Sequence, residues 1–269
     1  MPGFSRRAVA AAIVSVALSG CAGVLKTAGG ESPWRPIFNG RTLEGWTPKI
    51  VGQTLGADPF KTFIVKDGAI QVSYAGYGKF ANQFGHLFYK TPFGAYRLRL
   101  DYKVLEPGLP DTPAWARGNS GVMFDSQRPE NMTLNQPFPV SVEFQILGRD
   151  GEGPRPTGSV CTPGTNIAID GVMAKVHCTL STGPTIPNET WTHLELEVLS
   201  DGEVTHRING VVVHHYAKVE LDPADPLAKR EIADRGGVLP VTGGYISLQS
   251  EGHPIAFKNI EIQVIPGAR

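Results

Sequence analysis

Charge is scarce in this chain, and neither sign is in excess. Only 19% of its 269 residues are Asp, Glu, Lys or Arg, and 25 basic residues balance 25 acidic ones. Nucleic-acid recognition needs basic patches that neutralise phosphates, so a neutral chain argues against it. Cysteine is rarer still, at three residues, and the pair Cys161 and Cys178 lacks the CxxC-type spacing of zinc sites. No apolar run reaches the roughly 20 residues that span a bilayer. HExxH, GxSxG, P-loop and GxGxxG arrangements are absent from any supporting context, so protease, esterase, nucleotide and NAD readings lack their motifs. What the chain does have is 41% hydrophobic residues, 32 Gly and 22 Pro. That excludes disorder and collagen, and it points to many turns.

The N-terminus reads as an address. Arg6 and Arg7 precede an eleven-residue apolar run, Ala8–Leu18, which has the length of a signal-peptide h-region. Leu18-Ser19-Gly20-Cys21 resembles a bacterial lipobox, so residues 1–20 are expected to be removed and Cys21 to be lipidated. An ordinary secretory signal cut nearby is the alternative. Cleavage before Cys21 leaves 23 Lys and Arg against 25 Asp and Glu, a mature charge of −2. Residues 21–33 are small and polar, a tether, and 34–269 are expected to form one domain in the bacterial cell envelope, facing the periplasm. The only membrane contact expected is the N-terminal lipid. In that oxidising compartment Cys161 and Cys178 are expected to form a disulfide, with two free buried thiols as the alternative.

From Trp34 onward, short alternating segments are separated by Gly, Pro, Asn and Asp. Tyr96, Leu98, Leu100, Tyr102 and Val104 share one parity, as do Val142, Phe144 and Ile146. Leu194, Leu196 and Val198 form a third set, and Ile246 and Leu248 a fourth. A period of two means strands with one buried face. Asp67-Gly68, Asp201-Gly202 and Asn209-Gly210 supply turns that accept positive φ. One short helix is expected near Ala224 to Ala233. The fold class is therefore all-β, a single-domain sandwich of two antiparallel sheets. Three long connections, 106–118, 126–139 and 217–243, read as rims around a groove, and Trp115 lies in the first.

Eight stretches in order resemble one family. They are Ile37-Phe38-Asn39-Gly40-Arg41-Thr42-Leu43-Glu44-Gly45-Trp46, Phe63-Ile64-Val65-Lys66-Asp67-Gly68-Ala69-Ile70, Gly118-Asn119-Ser120-Gly121-Val122-Met123-Phe124, Val142-Glu143-Phe144-Gln145-Ile146-Leu147, Thr190-Trp191-Thr192, Ile208-Asn209-Gly210, Gly244 to Gly252, and Phe257-Lys258-Asn259-Ile260. Together they resemble the 3-keto-disaccharide hydrolase domains, which are concanavalin A-like jelly-roll sandwiches. Lys258 stands where the family usually has Arg, and Thr192 where Asn is common. The resemblance implies cleavage of 3-keto-glycosides by base-assisted elimination and hydration, or by hydrolysis. A non-catalytic carbohydrate-binding lipoprotein with the same sandwich is the alternative.

Parity places Glu143 with Gln145, and Gln249 with Glu251, on the non-core sides of their strands. If those strands are neighbours in the concave sheet, one wall gathers two carboxylates and two amides, and Asn119 and Asp125 extend it. A ketone at C3 acidifies the C2 proton, so the implied chemistry needs a base, an acid and an electrophile for the enediolate. Glu143 is the candidate base or metal ligand, and Glu251 or His253 the candidate acid. Asn119, Gln145 and Gln249 would orient hydroxyls, and one divalent cation would serve as electrophile, with Arg97 or Lys103 as runners-up. No organic cofactor is expected. His86 and His214 are lesser candidates. Gln145 stands where a glucanase of this fold carries its second carboxylate, which argues against ordinary two-carboxylate glucanase chemistry.

Overall fold

The computed structural model describes residues 32–266, together with Met1 and Gly3. The signal peptide, Cys21 and most of the tether expected from the sequence lie outside the described residues. Among those described, no helix is long and apolar enough to cross a membrane.

Seventeen strands are described: β1 (Arg35–Pro36), β2 (Trp46–Ile50), β3 (Phe63–Lys66), β4 (Ala69–Val72), β5 (Gly85–Tyr89), β6 (Tyr96–Val104), β7 (Asn119–Ser126), β8 (Val142–Leu147), β9 (Ser159–Cys161), β10 (Thr165–Ile169), β11 (Val172–Met173), β12 (Cys178–Thr179), β13 (Thr192–Val198), β14 (Val204–Ile208), β15 (Val211–Leu221), β16 (Tyr245–Ser250) and β17 (Ile255–Val264). They form two antiparallel sheets. The larger runs β11-β10-β15-β14-β13-β6-β17-β4-β3, with β1 beside β17. The smaller runs β12-β9-β8-β7-β16-β5-β2.

The alternation in the sequence becomes the core. Tyr96, Leu98, Leu100, Leu194 and Leu196 of the larger sheet join Val122, Phe124, Val142, Phe144, Ile146, Ile246 and Leu248 of the smaller in one apolar cluster. Each of these twelve is no more than 2% exposed, and burial of such a side chain is worth about 1.5–3 kcal/mol. A polar exception bridges the sheets. His206 of β14 stacks on Phe144 with centroids 4.0 Å apart, and its ring nitrogens meet the Gly158 carbonyl and the Tyr216 hydroxyl, both at 2.9 Å. Burial drives its pKa down to about 3, so it stands neutral as a satisfied core histidine.

The turn chemistry follows the sequence. Asp67 and Gly68 (φ 52° and 75°), and Asn209 and Gly210 (φ 50° and 80°), are the left-handed pairs that close two-residue hairpins. The helix α1 spans Pro226–Asp234, with Asp225 capping the amides of Leu227 and Ala228. Cys161 and Cys178, directly paired between β9 and β12, form a disulfide across 17 positions.

Candidate active site

Because Val142, Phe144 and Ile146 take the core side of β8, Glu143 and Gln145 emerge on the outer side of the smaller sheet. Ile246 and Leu248 do the same for Ser247, Gln249 and Glu251. The strands carrying these pairs are not adjacent, since β7 lies between them. In β7, Gly121 is opposite Gln145 and Met123 opposite Glu143. On its other side Met123 faces Ser247 and Val122 faces Leu248. Continuing that register brings Gly121 beside Gln249 and Asn119 beside Glu251. Gln249 is in turn opposite His86 of β5, and His86 opposite Lys49 of β2. One line of side chains thus crosses the sheet: Gln145, Gly121, Gln249, His86, Lys49.

Gly121 leaves a gap in that line between Gln145 and Gln249, and Glu143 leans over it. A β-carbon at Gly121 would stand 2.4 Å from Glu143 Oε1 and 2.7 Å from its Cγ. Glu143 is 6% exposed, Gln249 not at all, and Glu251 3%. Burial pushes the carboxyls of both Glu143 and Glu251 up, and for Glu251 the nearby Glu143 charge pushes further while the Arg155 guanidinium pulls back. Two carboxyls in one dry site resist simultaneous ionisation, so the pair retains a proton near neutral pH. Glu143 Oε1, Glu251 Oε2, both amide atoms of Gln249, Asn119 Oδ1, Ser247 Oγ and both His86 nitrogens find no hydrogen-bond partner among the described residues. Such groups each cost about 1–3 kcal/mol when left unmatched. Their concentration on one face marks a surface made for a polar ligand.

The turn after β16 aims the second carboxylate. Gly252 has φ +89°, its amide donates to the Tyr74 hydroxyl at 2.5 Å, and its carbonyl accepts from Thr112 Oγ1 at 2.6 Å. A β-carbon there would meet Thr112 at 2.9 Å. The following residue, His253, sets Nε2 2.7 Å from the Leu105 carbonyl. Its Nδ1 faces Gly108, where an added β-carbon would come within 2.5 Å. Burial lowers its pKa, so the ring is neutral and suits an anchor of the turn better than an acid.

Residues 33–263 match the family model of the 3-keto-alpha-glucoside-1,2-lyase-like domain. The chain belongs to that family. No curated protein matches it. Among solved structures, a candidate glycosyl hydrolase from Parabacteroides distasonis ATCC 8503 is similar at 19% identity, covering 86% of this chain and 99% of that one, with a TM-score of 0.51. A second structure with the same description covers 86% and 93% at 19% identity and a TM-score of 0.50. The Crh5 transglycosylase in complex with NAG is 13% identical, covers 89% and 87%, and has a TM-score of 0.50. At these identities the likeness is one of fold, the two-sheet jelly roll.

In this lyase-like domain three expectations need correction. Arg97 and Lys103 lie on β6, in the other sheet, on its outer face. Arg97 contacts Glu197 at 2.5 Å and Gln263 at 3.2 Å. Lys103 pairs with Glu189 at 3.4 Å and faces the Trp191 ring. With the core between them and Glu143, neither serves the site. Asp125 leaves the wall as well. A bulge between β7 and β16 at this point puts Asp125 at φ 49°, and the extra residue reverses the parity. The core hydroxyls of Tyr96 and Tyr216 are pushed up by burial first and by the nearby Asp125 carboxyl second.

Among the described residues, Arg155 and Lys49 are the cations whose charge acts on Glu251 and His86 of this face. Arg155 donates to the carbonyls of Arg117 and Gly148 and acts electrostatically on Glu251. Lys49 is 3% exposed and donates to the carbonyls of Ile50 and Leu134. His86, pushed down to about 3 by burial and by the Lys49 charge, is a neutral imidazole between Gln249 and Lys49 in the line. The Pro48-Lys49 strand has no clean alternation to reveal Lys49, and Arg155 sits in a Gly- and Pro-rich loop. Among the described residues, the group of three His, Cys, Asp or Glu donors within 4.8 Å of one another is Cys161, His177 and Cys178, and its two sulfurs are bonded to each other.

Proposed function

We propose that this chain cleaves 3-keto-glycosides or 3-keto-disaccharides by elimination and hydration. The observation that carries the proposal is the pair of buried, mutually repelling carboxyls, Glu143 and Glu251, on one face of the seven-stranded sheet. With one proton on it, the pair offers one base and one acid at the same pH. Glu143, over Gly121, takes the proton from C2 beside the C3 ketone. The electron pair forms an enediolate, whose collapse forms C1=C2 and breaks the C1–O bond, and Glu251 gives its proton to the departing oxygen. Water then adds across the resulting C1=C2 bond, hydroxyl to C1 and proton to C2, with the two carboxyls in reversed roles. Gln249, Gln145 and Asn119 orient the sugar hydroxyls. Arg155 or Lys49 supplies positive charge for the enediolate. Where a divalent cation supplies it instead, Glu143, Glu251 and the Gln249 amide oxygen are the groups to hold it, and the cation would act as a Lewis acid.

The N-terminal address supports a site of action in the cell envelope, with the domain lipid-anchored through Cys21 and facing the periplasm. The test is incubation of the purified chain with 3-keto-glycosides, with and without divalent ions, following release of the aglycone. Turnover supports the enzyme reading. Saturable oligosaccharide binding without turnover under any of these conditions would sink it in favour of a non-catalytic carbohydrate-binding lipoprotein.

A further inference from the structure

Trp115 is a large apolar side chain that the fold leaves outside. It sits on the short 3-10 turn Ala114–Ala116, is 55% exposed, and contributes nothing to the core cluster. Yet it is held firmly. One face of the indole stacks on Phe84, with centroids 5.9 Å apart and planes 19° from parallel. Phe84 is braced by Phe80 at 5.1 Å and by Phe138 at 4.9 Å. The Trp115 carbonyl accepts from Asn119 Nδ2 at 3.4 Å.

The sheet register says what this stack overlooks. Ser250 is opposite Gly85, and one further step brings Glu251 opposite Phe84, just as Asn119 flanks Glu251 on the other side. Trp115 therefore contacts the two residues that flank Glu251 in this register, stacking its ring on Phe84 and accepting from Asn119 through its carbonyl, while its side chain stays largely exposed. The charged groups nearest along the loop already have partners: Arg117 pairs with Asp150 at 3.3 Å, and Asp111 accepts from the amides of Phe80 and Ala81. A flat, rigid, uncharged aromatic surface next to a wall of amides and carboxyls matches a ring with an apolar face and a hydroxylated edge.

We propose that Trp115 is the platform on which the leaving-group ring, a pyranose or an aromatic aglycone, stacks during cleavage. This rests on the reading of Glu251 as the acid that protonates the leaving oxygen, because the ring beside Glu251 is then the one that departs. Substrates with a cyclic leaving group are preferred over those with a small one.

The experiment compares a 3-keto-disaccharide with a 3-keto methyl glycoside. In Trp115→Ala the ratio of kcat/KM values, disaccharide over methyl glycoside, falls roughly tenfold, mostly through KM, and Trp115→Phe restores most of it. A ratio unchanged in Trp115→Ala overturns the proposal. A second measurement is independent of turnover. The parent disaccharide, not oxidised at C3, quenches the tryptophan fluorescence of the full chain, and Trp115→Phe loses that quenching although three tryptophans remain. If neither substrate turns over but the Trp115-dependent quenching is present, the enzyme reading fails and the platform stands. If turnover is normal and quenching is identical in Trp115→Phe, the platform fails and the enzyme reading stands.

Discussion

Glu143 rests its carboxyl over Gly121, the residue in the neighbouring strand that offers it space; an alanine there would place a methyl 2.4 Å from Oε1. Gly121 has no left-handed backbone, so alanine is conformationally tolerated and the clash is the whole effect. Gly121→Ala is expected to fold and to displace the carboxyl, lowering kcat on the order of 10²-fold, as a misplacement of about 1 Å can. Steady-state kinetics beside a circular dichroism melt checks this; unchanged kcat in a folded variant would remove Glu143 from the chemistry.

Glu143→Gln keeps the shape and removes the base. Turnover is expected to fall at least 10²-fold, together with the enzyme-catalysed exchange of the C2 proton with deuterated solvent, followed by NMR. Stability moves the other way. A carboxyl whose native pKa is raised holds a proton that the unfolded chain has released, so stability declines as pH rises from the ordinary glutamate range toward the raised value. Glu143→Gln should thus melt higher than wild type at pH 8 and close to it at pH 4. A variant that melts lower at pH 8 contradicts the buried, repelled state of this group.

Asp125 gives a second titration, away from the site. Its carboxyl is 7% exposed, and burial raises its pKa from 3.8 to about 7, against a smaller downward pull from Arg235. Between about pH 4 and 7 the native state keeps a proton the unfolded state has lost. Stability present below pH 4 is therefore lost progressively up to pH 7, on the order of 1 kcal/mol for each pH step crossed. Asp125→Asn tolerates the same positive φ and removes the titration. Its melting temperature is expected to exceed that of wild type at pH 8, with no gain at pH 4, and turnover is expected to be unaffected. Melts across pH decide it.

These residues also mark what one sequence makes legible. Parity along a strand is local, so the outward faces of Glu143 with Gln145 and of Gln249 with Glu251 could be read directly. Asp225-Pro226 likewise announces the helix it caps. Parity does not say which sheet a strand joins, and that is why Arg97 and Lys103 read as site residues although β6 belongs to the other layer. Nor does it reveal a bulge: Asp125 has the parity of Asn119 on paper, and only the pairing of β7 with β16 shows the extra residue. The insertion of β7 between β8 and β16, and the line from Gln145 to Lys49, are products of strand order, which is set by contacts distant in sequence. His86 lies in Gly85-His86-Leu87-Phe88-Tyr89, buried throughout, so alternation could not distinguish its site face from its core face.

The outer face of the larger sheet supplies a negative control with content. Arg97 and Lys103 are partly exposed ion-pair members, and such pairs contribute about 0–1 kcal/mol. Arg97→Ala and Lys103→Ala are expected to leave kcat and KM within about twofold of wild type and to shift the melting temperature by a few degrees at most. A loss of turnover in either would mean that the substrate lies on β6, and the assignment to the smaller sheet would be wrong.

The disulfide lies closer to the chemistry, because Cys161 is the cross-strand partner of Glu143 as well as of Cys178. It nonetheless ties down only β12, the outermost strand of the smaller sheet, while Glu143 is fixed by main-chain pairing to β7 and β9 and by its seat over Gly121. Replacing both cysteines with serine should therefore separate two properties. Stability is expected to drop by about 3 kcal/mol, the loop-closure value for a span of this length, which lowers the melting temperature by roughly 6–12 °C. Turnover at 25 °C is expected to stay within about threefold of wild type, since the strands that position Glu143 remain paired. A variant that keeps its melting temperature, or one that stays folded at 25 °C and loses turnover, would show that β12 does more than close an edge.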